Sequence, residues 1–280
     1  MSVPNKPLEF VLDVRRTTRV LFTACVLIVV LLIALDATVN YSRWTEIGAI
    51  RRLFNMTRED ALGSWFGVTI TSLTALTAWA TVIVVRRQNA SRIRRWGWIV
   101  IALFLTWMAV DDGAEIHERL GTAFNTIGRD AVAAGRFGRF AHLPDVFPSY
   151  SWQLLLLPVF AGLGLFTLVF LWWEARAPAL RAMVFIAISI FALSVGLDFV
   201  EGLDETHRWN LYTHIANRFD LELFTERQFR VEPFTALRHF SKVFEEGLEI
   251  VAMAMLWLVL LRNLGRVGND VRIRVGTASQ

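Results

Sequence analysis

Long apolar stretches alternate with short polar ones along most of the chain. Six near-continuous apolar runs cover roughly residues 18–38, 62–85, 97–114, 152–173, 180–200 and 243–262. About 20 apolar residues are enough for a helix to cross the hydrocarbon core of a bilayer. The pattern therefore predicts an all-α fold: a bundle of six transmembrane helices that forms a single integral membrane domain over residues 1–280.

The composition agrees with this interpretation. With 280 residues, 55% of them hydrophobic, and a mean hydropathy of +0.45, the chain is too apolar for an ordinary soluble domain. Cys25 is the only cysteine, which excludes an internal disulfide and a thiolate metal cluster. Leu35-Asp36-Ala37 is a poor cleavage site, so we expect the first apolar run to be an uncleaved anchor rather than a signal peptide.

The arginines orient the predicted helices. The connection 86–95 is the strongest short-loop positive signal, with Arg86, Arg87, Arg92, Arg94 and Arg95, and it should stay cytoplasmic. With six spans, both termini are then cytoplasmic too. We expect a multi-pass protein of the bacterial inner (plasma) membrane. The pI near 9.8 reflects an Arg-rich inner face against anionic lipids rather than nucleic-acid binding. The sequence does not identify protein partners.

Two long connections, 115–151 and 203–241, fall on the predicted outer side, and we expect both to be structured caps. In the first, aromatic residues alternate with Arg136 and Arg139, a pattern typical of a segment that lies among lipid headgroups. In the second, recurring apolar residues need a surface to cover them. Weak candidates for binding a lipid headgroup are Arg119, Arg136, Arg139 and Arg238.

Acidic clusters border three of the apolar runs, all on the predicted outer side. They comprise Asp111, Asp112, Glu115 and Glu118; Asp198, Glu201, Asp204 and Glu205; and Glu245, Glu246 and Glu249. Carboxylates beside hydrocarbon are costly unless they are paired, hydrated or bound to a cation. At about 100° per residue, most members of each cluster share one helix face. The sequence leaves three compensators open: arginines from the outer loops, protons, or a divalent cation.

His117 stands apart in this helical phase. It projects away from the stripe of Asp111, Glu115 and Glu118 unless the helix unwinds after Gly113. No predicted helix carries the Glu-x-x-His of di-metal bundles. The His117-Glu118 pair could instead supply a metal ligand and a general base, as zinc hydrolases require. His239 stays open between a ligand and an interfacial hydrogen-bonding residue.

These considerations give a set of candidate site residues. The candidate catalytic residues are Glu118 and Glu115. The candidate ligands for a divalent ion, with zinc favoured, are Asp111, Asp112, His117, Asp198, Glu201, Glu245 and Glu249.

The segment Asp111-Asp112-Gly113-Ala114-Glu115-Ile116-His117-Glu118-Arg119-Leu120-Gly121 resembles an uncharacterised group of polytopic bacterial membrane proteins. In these proteins a central helix ends in Asp-Glu followed by Ile-His-Glu, and the last helix begins with Glu-Glu followed by Leu-Glu-Met. Glu245-Glu246-Gly247-Leu248-Glu249-Ile250 resembles the second element, with Asp112 replacing Glu and Ile250 replacing Met. The resemblance implies a polytopic membrane fold and no particular activity.

A more distant architectural similarity is to membrane hydrolases of the alkaline ceramidase and adiponectin-receptor type. Those proteins hold zinc among seven transmembrane helices, partly through a His-x-x-x-His pair that this chain lacks. The similarity is one of architecture and assigns no residue a role.

Three functions fit the sequence, and the residues do not decide whether the protein is an enzyme. The first is a metal-dependent hydrolase or lipid-modifying enzyme, with a lipid as substrate, whose carboxylate and histidine site lies at the outer membrane boundary. The second is a non-catalytic assembly or sensor protein whose acid clusters are structural. The third is a proton- or cation-coupled transporter, against which the inner halves of the runs count because they contain almost no ionisable groups.

Overall fold

The computed structural model describes residues 13–135 and 146–268. Over these residues the chain forms ten α-helices and no strand. They are α1 (Val14–Leu35), α2 (Gly48–Phe54), α3 (Leu62–Arg87), α4 (Arg92–Ala114), α5 (Ile116–Ala133), α6 (Ser151–Glu174), α7 (Pro178–Glu201), α8 (Leu211–Arg218), α9 (Glu222–Phe229) and α10 (Pro233–Val267). A π-helical segment, Asp36–Tyr41, continues α1.

Residues at the helix starts either accept hydrogen bonds from free backbone N–H groups or, as prolines, have no N–H group to satisfy. The Asp13 carboxylate accepts hydrogen bonds from the backbone N–H groups of Arg15 and Arg16, at 2.9 and 3.1 Å, and so caps α1. Pro178 and Pro233 stand in the first turns of α7 and α10, where a missing N–H costs nothing.

Five helical segments are long and apolar enough to cross a membrane: Val14–Tyr41, α3, α4, α6 and α7. They contain the first five predicted spans, and they indicate a multi-pass membrane protein. The sixth predicted span, 243–262, lies inside the 35-residue α10, which is not among these five. The six-span count and the cytoplasmic termini therefore remain predictions.

Helix α10 is the centre of the bundle. It packs against α1, α3 and α7, while α4 packs on the far side of α3 and α6 contacts α4, α5 and α7. Most of its side chains between Ile250 and Leu260 are buried. Near the start of α4, the Trp98 ring meets Phe170 edge to face at 5.5 Å, beside Gly97. This contact closes one end of the bundle between α4 and α6.

The opposite end is where α4 and α7 finish and α6 begins, and we call it the acidic end. Helix α5, within the predicted cap 115–151, packs on α6 there, and α8, within the predicted cap 203–241, packs on the first turns of α10. At this end, polar side chains from α4, α6, α7 and α10 line the same cavities.

Candidate functional site

A break between α4 and α5 sets the position of His117. Glu115 has a left-handed backbone, with φ of 51°, so α4 ends at Ala114 and α5 restarts at Ile116. The backbone N–H of His117 donates to Asp111 Oδ1 at 2.8 Å, and His117 Nδ1 lies 2.9 Å from Asp111 Oδ2. The chain thus unwinds just after Gly113, which the sequence analysis gave as one condition for His117 to join the acids.

The surroundings of His117 favour its charged form. Burial lowers the pKa of the imidazole, but the hydrogen bond to Asp111 and the negative charges of Asp111, Glu118 and Asp198 outweigh burial. The net effect raises the pKa of His117 above its ordinary value. Its ring also meets the Trp152 ring edge to face at 4.8 Å.

Lys242 lies at the centre of the acidic end. Its Nζ is 3.1 Å from Glu245 Oε1 and 3.7 Å from Glu246 Oε1. The same ammonium is 3.8 Å from Asp198 Oδ1 and 3.8 Å from Glu201 Oε2. One cation therefore faces four carboxylates from α7 and α10, which we call the Lys242 cluster.

Three further side chains hold the α7 carboxylates. The Gln153 amide donates to Asp198 Oδ2 at 2.7 Å, and the Tyr150 hydroxyl donates to Glu201 Oε1 at 3.2 Å. Arg238 donates to the Tyr150 oxygen at 3.3 Å and lies 3.5 Å from Glu201 Oε1. Burial, followed by the negative charge of Glu201, raises the pKa of Tyr150 to about 12, so the phenol stays a donor at neutral pH.

Three residues of this region could hold a metal ion. Asp198, Glu201 and Glu245 each offer an oxygen, and these three oxygens lie within 4.8 Å of one another. Glu201 Oε2, Glu245 Oε2 and Gln153 Oε1 are buried without a hydrogen-bond partner among the described residues. Buried oxygens without a hydrogen-bond donor are costly, so a cation or a further hydrogen-bond donor beside these three oxygens would stabilise the protein.

The remaining candidate ligands occupy different surroundings. Asp111 is engaged by His117, and Asp112 Oδ2 accepts a hydrogen bond from the buried Thr71 hydroxyl at 2.9 Å. Glu249 makes no hydrogen bond or ion pair with a described residue. Among the described residues, the group whose ligand atoms lie close enough to hold one metal ion is Asp198, Glu201 and Glu245. It does not include the other candidate ligands, Asp111, Asp112, His117 and Glu249.

A cavity of about 540 Å³, which we call the chamber, opens beside these residues between α3, α4, α6, α7 and α10. Its polar lining includes Glu59, Asp111, Asp112, Glu115, His117, Glu118, Asp198, Lys242, Glu245, Glu246 and Glu249. Its apolar lining includes Phe104, Leu105, Met108, Leu157, Phe160, Leu165, Leu168, Ile188, Phe191, Ile250, Met253 and Leu256. The chamber is therefore amphipathic, with charges toward the acidic end and apolar side chains deeper in the bundle.

A second cavity of about 520 Å³, which we call the vestibule, adjoins the chamber. Glu118, Trp152, Asp198 and Lys242 line both cavities. The rest of the vestibule is mostly polar, with Thr57, Thr122, Asn125, Tyr150, Ser151, Glu201, Thr235, Arg238 and His239. The shared residues thus separate a polar space from a largely apolar one.

The other sequence candidates differ in their surroundings. Glu118 lines both cavities, whereas Glu115 lines the chamber and lies 3.7 Å from the exposed Arg119. Of the headgroup candidates, Arg238 lines the vestibule, and Arg136 and Arg139 lie outside the described residues.

The site residues predicted from the sequence do not include Lys242, Gln153 or Glu59. Lys242 carried a usable signal, because the chain has only two lysines, Lys6 and Lys242, against 27 arginines. A compact ammonium can face several carboxylates at once, whereas a planar guanidinium pairs best with one. Gln153 and Glu59 gave no such signal in the sequence.

Comparisons with known proteins identify a family but no activity. A family model described as a domain of unknown function, DUF8692, matches residues 20–264. No curated protein and no solved structure matches the chain. Because the family model spans most of the chain, the protein belongs to the DUF8692 family.

Proposed function

We propose that the protein is a membrane-embedded enzyme that modifies a lipid-like amphiphile with the help of a divalent cation. The observation that carries the proposal is the chamber, where carboxylates stand at one end and apolar side chains line the depth. Ligand sites of this kind are mostly apolar, with a few convergent polar groups that orient the ligand. An acyl or similar chain fits the depth, and a polar headgroup fits the end beside the Lys242 cluster.

Asp198, Glu201 and Glu245 are the residues best placed to hold the cation. Their oxygens lie together, and the second oxygens of Glu201 and Glu245 lack donors among the described residues. An all-oxygen donor set suits a hard ion such as Mg²⁺, Mn²⁺ or Ca²⁺, while zinc prefers sites with nitrogen or sulfur. We therefore replace the sequence-based preference for zinc with a hard divalent cation.

The chemistry follows from this arrangement. A bound divalent cation would polarise an ester or phosphoryl oxygen and lower the pKa of a bound water. Glu118 lines both cavities, so it can accept a proton from a water that enters through the vestibule. Gln153 and Tyr150 hold Asp198 and Glu201 in place, which fixes the geometry of the oxygens around the headgroup. These steps describe a hydrolase or a transferase acting on a lipid.

The proposed membrane placement follows the arginine pattern. With the connection 86–95 in the cytoplasm, the acidic end faces the outer side of the plasma membrane, and α10 supplies the sixth span. The substrate would then be a lipid of the outer leaflet.

The cation is tested on full-length protein in lipid nanodiscs. Titration with Mn²⁺, followed by electron paramagnetic resonance, should show one saturable site that is lost in Glu245→Gln. Glu232→Gln is the matched control, because Glu232 stands at the start of α10 and lines neither cavity. Mn²⁺ binding that is absent from the wild type, or that survives Glu245→Gln, would refute the metal site.

The chamber is tested with two glycines of α6. A side chain at Gly162 or Gly164 would meet no atom within 4 Å at its Cβ, but only Gly164 lines the chamber. Gly164→Phe should reduce the amount of co-purified lipid and the turnover of added lipid extract, while Gly162→Phe leaves both unchanged. Equal behaviour of the two variants would contradict a chamber that binds an amphiphile.

One observation favours a non-catalytic role as the second candidate. Lys242 and Arg238 already pair with the α7 and α10 carboxylates, as a purely structural cluster would require. In that case the wild type would turn over no lipid and bind no Mn²⁺ at a saturable site, and Glu118→Gln would change only the stability. The transporter hypothesis is tested with the same nanodisc protein moved into liposomes, where ion uptake lost in Asp198→Asn would support it.

A further inference from the structure

Asp36 and His239 form a buried pair that lies outside the Lys242 cluster. Asp36 is fully buried at the start of the π-helical segment. Its Oδ1 accepts hydrogen bonds from the Asn40 amide at 3.0 Å and from the Met56 backbone N–H at 3.1 Å. Its Oδ2 lies 2.7 Å from His239 Nε2. Two donors therefore hold the Asp36 carboxylate in the orientation in which its Oδ2 faces the imidazole.

The His239 ring is held by its neighbours as well. It stacks on the Tyr41 ring with centroids 4.0 Å apart and planes 9° from parallel, and it meets Phe240 edge to face at 5.4 Å. The ring also lines the vestibule. It therefore has one orientation, with one nitrogen on Asp36.

This orientation determines which nitrogen can accept a proton. A carboxylate only accepts hydrogen bonds, so His239 Nε2 must carry a hydrogen to pair with Asp36. In the neutral ring the lone pair is then on Nδ1. No described residue forms a hydrogen bond with Nδ1 of His239. His117 has the opposite arrangement, because Asp111 holds its Nδ1 and leaves Nε2 for the lone pair.

We infer that His239, oriented by Asp36, is a proton acceptor for a hydroxyl group in the vestibule. The hydroxyl belongs to an alcohol that serves as second substrate, whereas Glu118 serves water, and the inference in this form rests on the proposed function. In the step, the O–H bond breaks, an N–H bond forms at Nδ1, and the electron pair stays on oxygen. The resulting imidazolium keeps its hydrogen bond to Asp36, whose negative charge stabilises it.

The position of His239 fits this role. The charged groups that share the vestibule with it are Glu118, Asp198, Glu201, Arg238 and Lys242. Asp198 and Lys242 also line the chamber, so a hydroxyl activated in the vestibule lies next to the proposed headgroup position. Asp36 is a positioning residue, because it acts only through His239.

The tautomers are measured first, by nitrogen-15 NMR of histidine-labelled full-length protein in nanodiscs. The signals of His239 and His117 are assigned by their absence in His239→Gln and His117→Gln. The spectra are recorded at alkaline pH, because the surroundings of His117 favour its charged form. There we expect a pyridine-type Nδ1 in His239 and a pyridine-type Nε2 in His117. In Asp36→Asn the new amide can donate to Nε2 of His239. The tautomer of His239 should therefore reverse, and the tautomer of His117 should stay unchanged. A wild-type His239 with a protonated Nδ1, or unaffected by Asp36→Asn, would overturn the inference.

A functional measurement separates a proton acceptor from a structural tie between α1 and α10. The His239→Gln side chain can still donate to Asp36, so its thermal midpoint should stay close to that of the wild type. Its lipid turnover should fall by about 10²-fold, the usual contribution of a general base. A stable His239→Gln with unchanged turnover would show that the pair is only structural.

The two proposals fail in different ways. If the wild type turns over no lipid, the proposed function is wrong, and the pair is decided by site-resolved reaction with diethyl pyrocarbonate, which attacks a free imidazole lone pair. His239 should then react in the wild type and more slowly in Asp36→Asn. His117 is the internal control, because its rate should not change. Equal His239 rates in the two proteins would overturn the inference.

Discussion

Replacing Lys242 by methionine tests the electrostatics of the acidic end directly. Methionine keeps an unbranched stem and removes only the ammonium, which lies between 3.1 and 3.8 Å from four carboxylates. The Lys242 side chain is only 20% exposed. Without it, Glu245 loses its closest charged partner, and three more carboxylates lose part of their compensation.

The magnitude follows from the burial. Removing one partner of a buried ion pair costs about 3–5 kcal/mol, because the other charge stays buried without compensation. Since Lys242 is partly exposed, we expect the lower limit, about 3 kcal/mol. For a chain of this size each kcal/mol lowers the thermal midpoint by about 2–4 °C, so Lys242→Met should lose roughly 6–12 °C.

The assay is thermal unfolding in nanodiscs, with three variants beside the wild type. Arg119→Met removes an exposed cation 3.7 Å from Glu115, and it should cost less than about 1 kcal/mol. Glu245→Gln added to Lys242→Met should recover part of the lost stability, because it removes the charge left alone. If Lys242→Met unfolds no earlier than Arg119→Met, the carboxylates do not depend on Lys242 and the reasoning is wrong.

Three further predictions concern the surroundings of the site. Partial desolvation at the chamber rim, followed by the charges of nearby acids, raises the pKa of the still exposed Glu59 to about 7, so its folded form binds the proton more tightly than its unfolded form. Stability should therefore fall as pH rises from about 4.5 to 7, and Glu59→Gln should flatten that part of the melting profile. Gly97→Ala would place a Cβ against the Phe170 ring and should lower the free energy of unfolding by about 1–3 kcal/mol, whereas Gly196→Ala, with open space, should not. Thr71→Val removes the hydrogen bond to Asp112 and should cost about 1.5–3 kcal/mol in the same assay if Asp112 is charged, and less if it is protonated.

The apolar runs predicted the long helices well, because membrane spans are specified by composition over about 20 residues. The five candidate spans each contain a predicted apolar run, and the observed helices extend beyond most of those runs by a few residues. The sixth run covers only part of its helix, because α10 begins ten residues earlier, at Pro233, inside the segment predicted as the cap 203–241. Apolar patterning marks the part in hydrocarbon and not the end of the helix.

The site was less predictable than the fold. Helical phase set His117 apart from Asp111 on the assumption of a regular helix, and the left-handed backbone at Glu115 removed that assumption. Glu115 is neither Gly nor Asn, the residues that usually mark such a turn, so no local signal in the sequence predicts it. The left-handed backbone of this one residue, Glu115, thus decides whether His117 points toward the acids or away from them.

Compensation of the acids also came from an unexpected direction. Arginines of the outer loops were one predicted compensator, but Lys242 stands on the same helix as Glu245 and Glu246 and reaches across to α7. Spacing of three and four residues predicts the contacts within α10. The contact with Asp198 depends on how α7 packs against α10, and a single sequence does not contain that information.

The charge balance of the acidic end ties the two candidate functions to a single measurement. One ammonium among four carboxylates leaves negative charge, and of these four the Arg238 guanidinium pairs only with Glu201 among the described residues. The remainder must be neutralised by protons or by a cation, because carboxylates beside the apolar chamber wall cannot all stay charged alone. Protons would make the stability of Lys242→Met recover at low pH without metal. A bound cation would make it recover at neutral pH when Mn²⁺ is added, with a larger shift than in the wild type. The first result favours the structural role, and the second favours the metal-dependent enzyme.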